Sequence, residues 1–221
     1  MNAVRPEPTT LVGRYIQLEP LTPELLPQLH HAIALPQVFA SGYGGGPAGL
    51  RTDLDEFVAW SLGHYQWDGL PFAVRLRGGE HDGTIVGTST LGDLNIASES
   101  AHIGWTAYNP RVWGTAVNAE AKLLLLGAAF DHGFGRVKIQ ADSMNARSRA
   151  AIGGIGASFE GIIRRDRLRA DGTWRDTAIY SILKDEWPRV RALLTARLDR
   201  SNGEPVQYRE VHPVIELSAA S

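Results

Sequence analysis

The chain has 221 residues, a hydrophobic fraction of 43% and a formal net charge of −2 at neutral pH, enough chain to bury one sizeable core. A near-neutral balance gives no bulk attraction to nucleic acid or to an anionic membrane, and the absence of cysteine excludes a disulfide framework, a thiolate zinc site and a thiol nucleophile. No run approaches the roughly 20 apolar residues of a membrane span, and Met1–Thr10 carries prolines and charges in place of an apolar signal segment, so a cytoplasmic location is expected.

Residues 1–10 read as a flexible start, followed by a first strand over Val12–Glu19 with Ile16 and Leu18 inward. Thr22-Pro23 has the form of a helix N-cap with proline at the first helical position, and Leu25, Leu26, Leu29 and Ile33 supply an apolar face. His30 and His31 lack the spacing of a zinc helix. Ser41–Pro47, rich in glycine, is either a linker between helices or a substrate-side loop. Thr52-x-x-Asp55 resembles a capping box and opens a helix through Phe57, Trp60 and Leu62. Phe72–Arg77 and Thr84–Leu91 then read as a hairpin around Gly78–Gly83.

Ala101–Tyr108 alternates, with Ala101, Ile103, Trp105 and Ala107 on one face and His102, Gly104, Thr106 and Tyr108 on the other, which predicts a strand. It feeds the turn Asn109-Pro110-Arg111-Val112-Trp113-Gly114-Thr115-Ala116-Val117-Asn118, and the apolar run to Phe130 predicts a buried helix ending at Gly133. Such a unit points unpaired N–H groups and the positive end of a helix dipole at one spot, which suits a phosphate. Arg136–Asp142 alternates as a strand that can lie parallel to Ala101–Tyr108 after the helical crossover. Asn145 opens a short helix that stops near Gly153, Gly154 and Gly156. Ala157–Arg165 and Thr173–Leu183 read as two strands, Arg164–Arg169 as a basic connection between them, and Asp185 as the start of a last helix. Residues 202–221 lack helical periodicity and read as a tail, or over Val206–Ile215 as an arm onto a partner subunit, which leaves a homodimer open.

No Gly-x-x-x-x-Gly-Lys-Ser/Thr run occurs, and the turn has only Gly114 where a dinucleotide fingerprint needs three glycines. It does match Arg111-x-x-Gly114-x-Ala116, which resembles the Gln/Arg-x-x-Gly-x-Gly/Ala signature of the GNAT superfamily of acetyl-coenzyme A dependent N-acetyltransferases. The longer string from Asn109-Pro110 through Trp113-Gly114-Thr115-Ala116, Asn118 and Glu120-Ala121 is similar to the branch that acetylates ribosomal-protein N-termini, the RimJ/RimL-like enzymes. The order of elements and the Asn145-x-x-Ser148 helix resemble the same family, although Gly154 departs from its usual Lys or Arg.

The resemblance implies one acetyltransferase domain over about residues 11–201, of mixed α/β fold, with a central twisted sheet of about seven strands splayed at the cofactor site. It implies acetyl-coenzyme A as co-substrate and no metal. The pyrophosphate is expected on the amides of Trp113, Gly114, Thr115, Ala116, Val117 and Asn118 beside Arg111, and the pantetheine along the backbone of Trp105, Thr106, Ala107 and Tyr108. Asn118 caps the helix or touches the phosphates, and Asn145 and Ser148 belong to the cofactor helix. His102, where relatives often carry Glu, is either the base or a structural sheet histidine. Ile152 stands where many members have a tyrosine acid, which leaves Ser148, and behind it Tyr180, as donors to the leaving thiolate. With no serine elbow in the sequence, direct attack by the amine is expected. The acceptor class is a protein N-terminal amine or a small-molecule amine, with no nucleic acid or membrane partner. The alternative is a catalytically silent domain that binds acyl-coenzyme A as a sensor or interaction module.

Overall fold

The computed structural model describes residues 3–211. The expected first strand is two: the chain turns at Gly13-Arg14, so that β1 (Leu11–Val12) pairs antiparallel with β2 (Ile16–Pro20). The cause lies more than a hundred residues away. Buried Glu120 accepts the amides of Arg14, Tyr15 and Ile16 at 2.7, 2.7 and 2.8 Å, and a side chain at Gly13 would collide with that carboxylate.

A 3-10 turn at Pro23–Leu25 leads into α1 (Leu26–Ile33), followed by the short α2 (Pro36–Ala40) and by α3 (Leu54–His64). Thr22 makes no side-chain cap. Asp53, not Thr52, caps α3, its carboxylate accepting from the Glu56 amide at 3.0 Å. An antiparallel meander follows: β3 (Leu70–Leu76), β4 (Ile85–Asn95) and β5 (Ser100–Tyr108). The 16-residue α4 (Ala116–Asp131) ends at Gly133, φ +87°, and β6 (Arg136–Asp142) returns parallel to β5. Next come α5 (Ala146–Gly154), the hairpin of β7 (Ser158–Leu168) and β8 (Trp174–Leu183), and α6 (Trp187–Asp199), which packs along α4. Because β7 runs to Leu168, Arg164, Arg165 and Arg167 lie in a strand and not in the expected basic connection.

The sheet has eight strands in the order β1-β2-β3-β4-β5-β6-β8-β7, one more than expected because the first strand divides. One core fills the α4 face, where Leu125, Leu126, Ala129 and Phe130 are buried, and a second fills the α1 and α3 face around Leu26, Leu29, Phe39 and Phe57. Covered by both the sheet and α6, α4 can be apolar almost all round. Among the described residues no helix is long and apolar enough to cross a membrane.

Both ends of the described segment contact the body. Residues 3–10 form no helix and no strand before Leu11, yet Ala3 is buried and the Val4 amide donates to the His132 carbonyl at 2.9 Å. Residues 204–209 run back over the body, and Val206 is buried. The part of the expected arm beyond residue 211 lies outside the described residues.

Candidate active site

β5 and β6 are paired only from Ser100 to Ile103 against Arg136 to Ile139. Past that point β5 stays with β4 and β6 stays with β8, so the two central strands part and Gly104–Tyr108 shows an unpaired edge toward the gap. At the fork β5 carries an extra residue. Thr90 pairs with Gly104 but Thr88 with Ala107, and Trp105 adopts φ +49°, the mark of a β-bulge. The bulge reverses the alternation expected from sequence. Ala101 and Ile103 face the α4 core, Trp105 and Ala107 pack on the opposite face, and Tyr108 is back under α4. Thr106 faces α4 as well, accepting from Lys122 Nζ at 3.0 Å. An inserted residue has no signature in a period of two.

The following turn is set by its own side chains. Asn109 accepts the Arg111 amide at 3.0 Å and donates to the Ala32 carbonyl at 3.0 Å. The Trp113 indole donates to the Tyr108 carbonyl at 2.9 Å, under the Arg147 guanidinium 3.4 Å from its ring. Gly114 takes φ +73°, where a side chain is strained. Thr115 is the N-cap of α4, its hydroxyl accepting from the Val117 amide at 3.4 Å, which removes the capping reading of Asn118 and leaves that residue in the first helical turn. Among the described residues the amides of Gly114 and Ala116 donate to no acceptor. Two free N–H groups at the start of a long helix, with no side chain at 114, fit a pyrophosphate. Arg111 is turned away, over the Tyr208 ring at 4.1 Å, and Arg209 Nη2 instead reaches the Gly114 carbonyl at 3.2 Å.

The three proton-transfer candidates do not converge on one face. His102 lies on the α1 and α3 side, its ring against Gly104 and 5.4 Å from that of Trp105. It is 3% exposed, and its Nδ1 sits 3.0 Å from Asp93 Oδ2, which Lys138 Nζ also approaches at 3.4 Å. Burial pushes the imidazole pKa down from 6.5, with the Asp93 hydrogen bond opposing, while the hydrogen bond from His102 draws Asp93 down to about 2. The ring is therefore neutral at pH 7. Donation of Nδ1–H to Asp93 leaves Nε2 as a buried acceptor with no partner. Asp93, at the far end of β4, carried no sequence signal; antiparallel pairing alone brings it to His102.

Tyr180 is buried on the α4 face, level with Ile139 and one strand beyond the gap, its hydroxyl accepting from Arg149 Nε at 3.2 Å. Ser148 is half-buried on α5, and its amide bonds Asn145 Oδ1 at 2.9 Å. Asn145 thus caps α5, and its side-chain amide donates to the Ser41 carbonyl. That bond helps pin the glycine-rich segment. It forms two 3-10 turns, Tyr43–Gly45 and Pro47–Gly49, the first lying against β5 and accepting at the Gly45 carbonyl from the Ala170 amide at 3.1 Å. Beside it the Tyr43 and Tyr65 hydroxyls meet at 2.7 Å, Trp60 stacks on His64 at 4.1 Å, and the Trp105 indole donates to the His64 carbonyl at 2.9 Å. Burial lowers His64 to about 4.

The site is thus a parallel strand pair opened beside a helix N-terminus, with an oriented imidazole at the fork. A family model described as an acetyltransferase (GNAT) domain matches residues 16–158, and the chain belongs to that family. YdaF of Bacillus subtilis, provisionally named a ribosomal N-acetyltransferase, is 32% identical over 107 residues, which cover 48% of this chain and 58% of YdaF, less than two thirds of that relative. A GCN5-related N-acetyltransferase from Brucella melitensis superposes with a TM-score of 0.81 at 26% identity, over 94% of this chain and 95% of that one. Mycobacterium smegmatis RimJ, solved with CoA-disulfide, shares the fold with a TM-score of 0.68 at 22% identity, over 85% and 92% of the two chains.

Proposed function

We propose that this chain transfers the acetyl group of acetyl-coenzyme A to a primary amine by direct attack. The observation that carries the reading is the slot between β5 and β6 beyond Ile103 and Ile139, which offers an unpaired backbone edge and ends at the free amides of Gly114 and Ala116. The coenzyme supplies an activated thioester. Gly104–Tyr108 lines the pantetheine, and an amide at the bulge polarises the thioester carbonyl. Gly114, Ala116 and the α4 dipole hold the pyrophosphate.

His102 Nε2 takes the proton from the attacking amine, directly or through one water, and Asp93 holds the imidazole in the tautomer that can do so. Ser148, at the start of α5, donates to the departing thiolate. Tyr180, already engaged by Arg149, ranks behind it. An oriented and unpartnered base favours catalysis over a silent acyl-coenzyme A sensor. The name of YdaF and the Asn109–Ala121 string favour a protein N-terminal amine as acceptor, in the RimJ/RimL-like manner.

The test follows coenzyme A release over peptides with free N-termini, N-terminally blocked peptides carrying lysine, and small amines. Turnover on free N-termini, lost in His102→Gln and absent in Gly114→Glu for want of coenzyme binding, is expected. Tight coenzyme binding with no turnover on any amine would return the chain to the sensor reading.

A further inference from the structure

The segment after α6 is a strap built onto the site. The Gly203 amide donates to the Tyr15 hydroxyl at 3.0 Å, and Pro205 lies against Gly78 and Gly79 of the β3–β4 hairpin. Tyr208 stacks on His81 with ring centroids 3.7 Å apart and carries Arg111 over its ring. Next to it the Arg209 amide donates to the Arg111 carbonyl at 2.8 Å, and its guanidinium crosses to the Gly114 carbonyl. The strap residues themselves, 203–209, lie beyond residues 16–158, which the family model matches.

Strap, α6 and phosphate turn line an open cavity of about 650 Å³ that includes Gly114–Ala116. Its lining carries three guanidinium groups, Arg197 and Arg200 from α6 and its end and Arg209 beside Gly114, against one carboxylate, Glu204. Neither Arg197 nor Arg200 has an ion-pair partner among the described residues. The α5 side of the same cavity is Gly154, where an added Cβ would meet nothing within 4 Å. Space is thus open at Gly154, in a cavity that the guanidinium groups also line. Leu193, 41% exposed, adds apolar surface to the lining that suits a purine ring.

We propose that α6 and the strap form the seat for the 3′-phosphorylated adenosine end of the coenzyme, with Arg197, Arg200 and Arg209 as specificity-determining residues that select coenzyme A over 3′-dephospho-coenzyme A. The inference rests on the coenzyme reading above. A phosphomonoester carries close to two negative charges and three acceptor oxygens, which guanidinium groups match through paired, charge-assisted hydrogen bonds. The pyrophosphate is taken by the turn amides. The second anionic group of the same ligand then meets guanidinium groups in the lining of the same cavity, which is of cofactor size.

Calorimetric titration of the full chain with coenzyme A and with 3′-dephospho-coenzyme A tests this. Wild type should prefer coenzyme A by about tenfold or more, the span of one charge-assisted contact. In Arg197→Ala/Arg200→Ala, and separately in Arg209→Ala, the preference should fall toward one through loss of coenzyme A affinity alone. Equal wild-type affinity for the two forms overturns the seat without need of any variant, and so do variants that weaken both forms alike. If wild type binds neither form, the coenzyme reading falls and the seat with it; tight and equal binding sinks the seat only.

Discussion

Asp93 and His102 lie nine residues apart on facing strands, and their side chains meet at 3.0 Å while the far ring nitrogen stays buried and unpartnered. If that nitrogen is the base, kcat/KM has an acid limb with its midpoint below the ordinary 6.5, because the imidazole is active only when neutral and burial lowers its pKa. Replacing Asp93 with Asn removes the group that raises the pKa and leaves Lys138 to lower it further. The limb should move to still lower pH and the plateau should drop. His102→Gln should cost roughly a hundredfold or more in kcat/KM, with the Kd for acetyl-coenzyme A unchanged. An Asp93→Asn profile that superposes on wild type would remove the dyad from the mechanism.

Glu120 joins α4 to the β1–β2 turn through three amides within 2.8 Å, and it is 3% exposed. Glu120→Ala leaves those N–H groups without an acceptor and opens a void, at a cost of roughly 3 kcal/mol or more, since each buried unmet donor costs about 1–3 kcal/mol. Urea unfolding followed by tryptophan fluorescence should show the midpoint falling with little change in slope. The Glu of the family-like string is on this view a structural residue, and Glu120→Ala that still folds should keep its Kd for acetyl-coenzyme A.

What could be read from sequence was what local pattern encodes. The strand before Asn109, the helix to Asp131, the Gly133 stop and the opening of α5 at Asn145 all follow from apolar periods, caps and glycine. Distant pairing hid the rest. The bulge at Trp105 appears only against Thr88 and Thr90 of β4. The break at Gly13 needs a carboxylate 106 residues from Arg14, and Arg209 reaches the Gly114 turn across 95 residues. At the start of α3 the pattern Thr52-x-x-Asp55 pointed to Thr52, whereas the helix starts one residue later and Asp53 is its cap.

Lys122, on α4, is 5% exposed and bonds only hydroxyls, Thr106 at 3.0 Å and Ser89 at 3.4 Å. Without a carboxylate beside it, burial lowers its pKa from 10.5 to about 7. Between those two values the unfolded chain holds the proton and the folded chain does not, so stability gains as pH rises from about 7 toward 10.5. The penalty of burying the ammonium is complete below pH 7. Lys122→Met should therefore be more stable than wild type by an amount that is largest at pH 6–7 and shrinks toward pH 10, read from thermal midpoints across that range. A gap independent of pH would mean that Lys122 is charged throughout.

Gly104 is tied to His102 by shape alone. A Cβ there would lie 2.6 Å from His102 Cε1 and 2.8 Å from Nε2, closer than carbon packs against an imidazole. No left-handed φ is required at this position, so Gly104→Ala is tolerated by the backbone and its conflict is with the ring. The imidazole can yield only by leaving its place beside Asp93, which moves Nε2 away from the fork of β5 and β6. If the coenzyme is held by backbone groups of β5 and of the Gly114 turn, Gly104→Ala should reproduce the kinetic loss of His102→Gln, with kcat reduced and the Kd for acetyl-coenzyme A held, because the methyl group is directed at the His102 ring. In NMR the His102 ring resonances should shift and titrate closer to 6.5 as the ring gains solvent. Gly104→Ala with full kcat would show that the imidazole next to it does not carry the proton.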